Sequence, residues 1–350
     1  MTAKSFRVLL VVVVGLVLVT WGLEIARNGD GGGGRQLLPG LADDANAASD
    51  VTIVMPGERP PVVLQRIDDR WAVTSRNDYP ADVAKLRQLV LALSEATIVE
   101  EKTADPARYA RLGVADPDAE GGGTRIVIAG EGFTHEVILG DAAQGDYRYA
   151  RVPGNATSFL IDRDPDVPAS AGDWLSAGII DIGADRIRRV SVSHADGETI
   201  VIDKGARELT DFTVLDVPEG RELSYATVAN GIAGALAKLT LEDVRARTNA
   251  EAATSTEFLT WDGTRIVATV TEDDDGRWFA FDVEAAAPGT GDESAAEDKD
   301  AAQGDEDALD VESLADRLTG WEYRLTDYKA GLLTRRWEEL LKDTGSDAAG

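Results

Sequence analysis

Four aspartates, Asp162, Asp164, Asp166 and Asp173, fall at positions 1, 3, 5 and 12 of a calcium-loop spacing, the pattern with which a hard cation collects oxygen ligands. The match is incomplete. Val167 stands where the tight turn wants glycine, Asp173 replaces a bidentate glutamate, and Pro165 and Pro168 stiffen the backbone. A polar turn closing a strand is the plainer reading of the same residues.

Other chemistry is thinner. Asp68/Asp69 and Asp141/Asp146 are carboxylate pairs of the kind used in acid–base catalysis, but among 63 acidic residues such pairs arise by chance. His135 and His194 each sit in an alternating, strand-like run with no recognisable nucleophile beside them, and a cysteine-free chain offers no thiolate. Gly31–Gly34 and Gly121–Gly123 lack the strand-to-helix setting of a phosphate loop. Tyr147 and Tyr149 alternate on one strand, while Trp174, Trp261, Trp278 and Trp321 are spread along the chain. Such aromatics pack sheets or, alternatively, form a platform for a glycan or peptide. No cofactor site and no enzymatic activity is expected.

The elements that must position these residues occur twice. Val51–Val54, Val62–Arg66 and Trp71–Thr74 read as strands, followed by a helix near Asp82–Leu93 and a strand at Thr97–Glu100. The same order returns with Val190–Ser193, Thr199–Asp203, Phe212–Leu215, a helix expected over Ser224–Leu239 with Ser224 as N-cap, and Leu241–Val244. Alternating runs then follow in each half: Arg125–Ala129, Phe133–Leu139, Tyr147–Val152 and Ser158–Asp162 in the first, and Glu257–Thr260, Thr264–Thr271 and Trp278–Val283 in the second. The fold class is α+β, two similar units of mainly antiparallel sheet, each with a packed amphipathic helix, at residues 50–170 and 171–284.

Around these units the composition changes. Val8–Leu23 carries no charge and its 16 residues cover about 24 Å of helix, so residues 8–25 read as a single membrane anchor with residues 1–7 in the cytoplasm behind Lys4 and Arg7. No cleavage site is convincing near Thr20–Gly22. Residues 26–49, rich in glycine and small polar residues, read as a flexible linker, and residues 285–312, built mostly from Ala, Gly, Asp and Glu, as a disordered acidic insert. Residues 313–343 read as a strand and a helix, the latter carrying Ala330, Leu333, Trp337, Leu340 and Leu341 on one face, that dock on the second unit; 344–350 is a disordered tail. A net charge of −28 excludes a nucleic-acid partner.

Several short stretches together resemble one bacterial family, the domain of unknown function 4340. They are Trp71-Ala72-Val73, Tyr79-Pro80-Ala81-Asp82, Leu112-Gly113-Val114 with Asp116-Pro117, Gly140, Tyr149-Ala150-Arg151 and Asp173-Trp174-Leu175. The likeness covers roughly residues 50 to 284, and Gly320-Trp321-Glu322-Tyr323 with Tyr328-Lys329-Ala330 fits the ending of longer members. It implies an envelope-facing protein often encoded beside an ABC transporter of the gliding-motility type, with the permease and auxiliary subunits as partners, and it assigns no catalytic residue. The sequence is therefore read as a single-pass protein of the inner membrane, its bulk periplasmic or otherwise extracytoplasmic, acting as a non-enzymatic interaction module. The alternatives are a module binding a glycan, peptide or calcium, and a hydrolase working through paired carboxylates.

Overall fold

The structure, a computed structural model, describes residues 34–285 and 309–342. The expected anchor at 8–25 and tail at 344–350 lie outside the described residues, as does most of the acidic insert. Among the described residues no helix is long and apolar enough to cross a membrane. The chain divides into two compact units, one ending at Trp174 and the other beginning at Leu175.

The first unit is built on a nine-stranded antiparallel sheet. Its strands are β1 (Ala48–Val54), β2 (Val62–Ile67), β3 (Arg70–Val73), β4 (Tyr79–Pro80), β5 (Ile98–Glu101), β6 (Thr124–Gly130), β7 (Phe133–Ala142), β8 (Arg148–Arg151) and β9 (Ser158–Ile161), in the order β4-β3-β2-β1-β6-β7-β8-β9-β5. Alternation decides the buried face: Val51 and Ile53 of β1, Leu64 of β2, and Ile126 and Ile128 of β6 are inaccessible or nearly so. The β2–β3 hairpin turns through Asp68 and Asp69, both at positive φ, the mirror-image turn that matches strand twist. A helix, Val83–Ser94, follows β4. Asp82 caps it by accepting from the Ala84 and Lys85 backbone N–H groups at 3.0 and 3.1 Å, and Leu86, Leu89 and Leu93 are its buried stripe.

The linker expected to run to residue 49 ends sooner. Leu37, Leu38 and Leu41 are buried, and the Leu37 N–H donates to the Ala96 carbonyl while the Ile98 N–H donates to that of Arg35. Residues 34–47 thus cover the outer edge of β5 and one end of the helix, because three leucines have more to gain in the core than in water.

The second unit repeats the plan. Its strands are β10 (Gly178–Ile180), β11 (Ile187–His194), β12 (Thr199–Asp203), β13 (Thr213–Leu215), β14 (Leu239–Ala246), β15 (Thr254–Thr260), β16 (Arg265–Asp273), β17 (Gly276–Glu284) and β18 (Trp321–Leu325), ordered β10-β14-β18-β17-β16-β15-β11-β12-β13. Setting aside the edge strands β4 and β10, the order β3-β2-β1-β6-β7-β8-β9-β5 is matched strand for strand by β13-β12-β11-β15-β16-β17-β18-β14. One topology has been used twice.

That correspondence sharpens one expectation, and the helices correct two others. β18, expected to dock on the second unit, does so as the counterpart of β9, lying between β17 and β14 within the same sheet as β10–β17. The helix expected over Ser224–Leu239 is confined to Val228–Ala233: Gly231 and Gly234 weaken it, Leu239 opens β14, and the Ser224 N–H bonds the Leu340 carbonyl instead of starting a cap. Cover for the sheet comes partly from another helix, Val311–Leu318, which packs on β17. The C-terminal helix is also split, into Asp327–Leu333 and Trp337–Leu340. Between them Glu198 accepts from Arg336 Nη1 at 2.7 Å and from the Trp337 N–H at 2.6 Å, holding Arg336 in extended backbone.

Candidate functional site

The aspartates of the calcium spacing are engaged separately. Asp162 accepts from the Thr97 N–H and Oγ1 at 2.8 and 2.6 Å, tying β9 to the start of β5. Asp164 pairs with Arg148 at 2.8 Å, Asp173 accepts from the Ser170 N–H and Oγ, and Asp166 is exposed. Among the described residues no three carboxylate or imidazole side chains converge as metal ligands would. Of the carboxylate pairs, Asp68 and Asp69 form the β2–β3 turn, where Asp69 pairs with Arg66 at 3.3 Å, and Asp141 and Asp146 are both exposed.

Each histidine joins two segments. His135 Nε2 lies 2.7 Å from Asp44 Oδ2, fastening β7 to the N-terminal segment. His194, buried, bonds Thr254 Oγ1 through Nδ1 and the Arg335 carbonyl through Nε2, both at 3.0 Å. The latter contact requires an Nε2–H donor. Trp174 and Trp278 are buried, and Trp278 is stacked by the guanidiniums of Arg245 and Arg324 at 4.1 and 4.8 Å, so neither offers a free face to a sugar.

A polar cluster of several linked ion pairs lies on the second sheet. Glu322 of β18, only 1% exposed, accepts from Arg245 Nε at 2.8 Å and from the Thr248 N–H and Oγ1, each at 3.0 Å. Arg245 also reaches Asp273 at 2.5 Å, and Arg247 grips Asp282 with two bonds of 2.6 and 2.9 Å. Burial opposes the charge of Arg245, but the hydrogen bonds it donates to Asp273 and Glu322 outweigh that and raise its affinity for the proton. In return Arg245 holds the Asp273 carboxyl below its usual range. Asp196, Glu222 and Asp262 are displaced downward as well. Such shifts suit carboxylates that stay ionised in ion pairs and turns, whereas a general acid near neutrality needs the opposite displacement.

Among the described residues, a groove of about 870 Å³ in the first unit is open to a ligand. Three segments form it: residues 42–48, the β2–β3 hairpin with Pro80 and Ala81, and the outward side of the helix Val83–Ser94. Ala45, Ala48, Trp71, Ala81, Leu86 and Val90 give it an apolar lining, and Leu91, 56% exposed, stands at its rim. Val83 and Val90 are only half-buried because they face the groove. Arg66, Arg70 and Arg87 supply its positive charge, with Asp69 and Glu95 as the acids. No sequence pattern announces this site, since its walls come from three separate segments; the single hint is the spacing of Val83, Arg87 and Leu91 along one side of a helix.

Against this geometry, a family model described as a domain of unknown function (DUF4340) matches residues 71–257, more than half of the chain. The chain belongs to that family. Within the DUF4340 match lie Trp71, Pro80 and the groove-lining helix, while the wall at 42–48 and the arginines Arg66 and Arg70 precede it. The match runs from β3 of the first sheet into β15 of the second, so the family model spans both units. No curated protein and no solved structure matches the chain.

Proposed function

We propose that this DUF4340 protein is a membrane-tethered, extracytoplasmic binding module without catalytic activity, accessory to an ABC transport system. The observation that carries the binding role is the open groove of the first unit, apolar inside and bordered by arginines. The ion-paired carboxylates elsewhere support a scaffold, since their protons are held off by neighbouring cations and hydrogen-bond donors. The tether is the uncharged run Val8–Leu23 behind Lys4 and Arg7. The transport role comes from the family resemblance.

Affinity purification of the full chain from detergent-solubilised membranes tests the reading. Co-purification of a permease or auxiliary transporter subunit is expected, together with retention in the membrane pellet after alkaline extraction. Recovery in the soluble fraction, with no transporter subunit bound, would overturn it.

A further inference from the structure

The groove contains two cations that the fold does not use. Of its two acids, Asp69 is paired with Arg66 at 3.3 Å, and Glu95 is paired at 2.9 Å with Arg163, which lies outside the lining. Arg70 and Arg87 are both exposed, and among the described residues neither guanidinium has an ion-pair partner. In a chain of net charge −28 a local positive surplus beside apolar surface runs against the general trend. A guanidinium presents a planar fork of donors that fits a carboxylate.

The sheet edge at the groove argues against a peptide added as an extra strand. That edge is β4, two residues long, and Pro80 within it has no N–H to donate. The Ala81 N–H is already bonded to the Trp71 carbonyl and the Asp82 N–H to that of Trp174. What is left is a ligand recognised by an apolar body and one anionic end. The volume of about 870 Å³ lies within the roughly 300–1,000 Å³ typical of sites for such small molecules.

We propose that the groove holds a long-chain fatty carboxylate, its hydrocarbon against Ala45, Ala48, Trp71, Leu86 and Val90 and its carboxylate bound by Arg70 and Arg87. This rests on the reading of the groove as the binding site of the module, and it supplies that site with a ligand class.

The test uses the full chain in nanodiscs of zwitterionic phosphatidylcholine, labelled with a photoactivatable diazirine analogue of palmitate and mapped by mass spectrometry. Adducts are expected on residues 42–48 and 80–95, competed by dodecanoate but not by dodecyltrimethylammonium or acetate. The double variant Arg70→Glu/Arg87→Glu should lose labelling by roughly tenfold or more, while Arg70→Lys/Arg87→Lys retains most of it. Adducts scattered over the surface or confined to the anchor, or equal competition by the cationic amphiphile, would overturn the proposal. Should the charge-reversed variant fail to fold, the competition series on the unaltered chain still decides. Adducts outside the groove with transporter co-purification intact would remove the ligand and leave the module; groove adducts without co-purification would do the reverse.

Discussion

Glu322 shows how much a single buried side chain can hold. Its two oxygens take one arginine and two donors from Thr248, so Glu322→Ala leaves Arg245 with Asp273 as its remaining carboxylate partner and the two Thr248 donors without their acceptor. Urea unfolding is expected to show a loss of about 2–3 kcal/mol in the second unit. Asp262 is a milder case with a pH signature. Burial works against its ionisation, but Thr260 Oγ1 and the Thr264 N–H donate to its carboxylate and hold it below the usual range. A depressed folded value means that this stabilisation is complete above about pH 4 and drains away as pH falls through the folded value. Asp262→Asn should cost about 0.5 kcal/mol at pH 7 after solvent screening, and the gap from the unaltered protein, followed by thermal melting, should narrow below about pH 4. At this scale Asp68 and Asp69, between two strand-like runs, are of the residue type that marks a hairpin turn. Glu322 was not legible, since nothing in Trp321-Glu322-Tyr323 reveals that the carboxylate points into a sheet lined by arginines.

Among the elements, strands were read more faithfully than helices. Period-two alternation survives in β6, β15 and β16 because one face of each meets a core, and that face alone sets the pattern. The helix expected over Ser224–Leu239 failed for the complementary reason: its apolar residues are shared between a short helix and the start of β14, and a run of apolar residues does not tell which element will claim them. A lysine secures that junction. Lys329 Nζ, on the helix Asp327–Leu333, donates to the Gly234, Ala235 and Ala237 carbonyls at 3.3, 2.9 and 2.7 Å, supplying donors to the chain just beyond the short helix Val228–Ala233. Lys329→Met keeps the length and removes the donors. We expect it to cost roughly 1–3 kcal/mol and to accelerate amide exchange at residues 234–238.

On the scale of the whole molecule, the duplication was legible in element order, but the membership of β18 was not. The hairpin link between β8 and β9 covers residues 152–157, whereas the corresponding link between β17 and β18 covers 285–320, and no local signal bridges such an interval. Each sheet has its own core, so damage to one is expected to stay there. A chain ending at Thr319 should keep residues 48–161 resistant to limited proteolysis while β10–β17 are digested. Equal resistance of both regions would show that β18 is dispensable.

The late position of β18 makes the last part of the chain a checkpoint on synthesis. The first sheet has all its strands once Ile161 has emerged, but β14 and β17 wait with open edges until Trp321–Leu325 arrives to sit between them. Unfilled edges invite foreign strands and proteases. A message truncated near its 3′ end would therefore yield a product that betrays itself to quality control, and a protease clipping only the C-terminus could dismantle the second unit while sparing the groove.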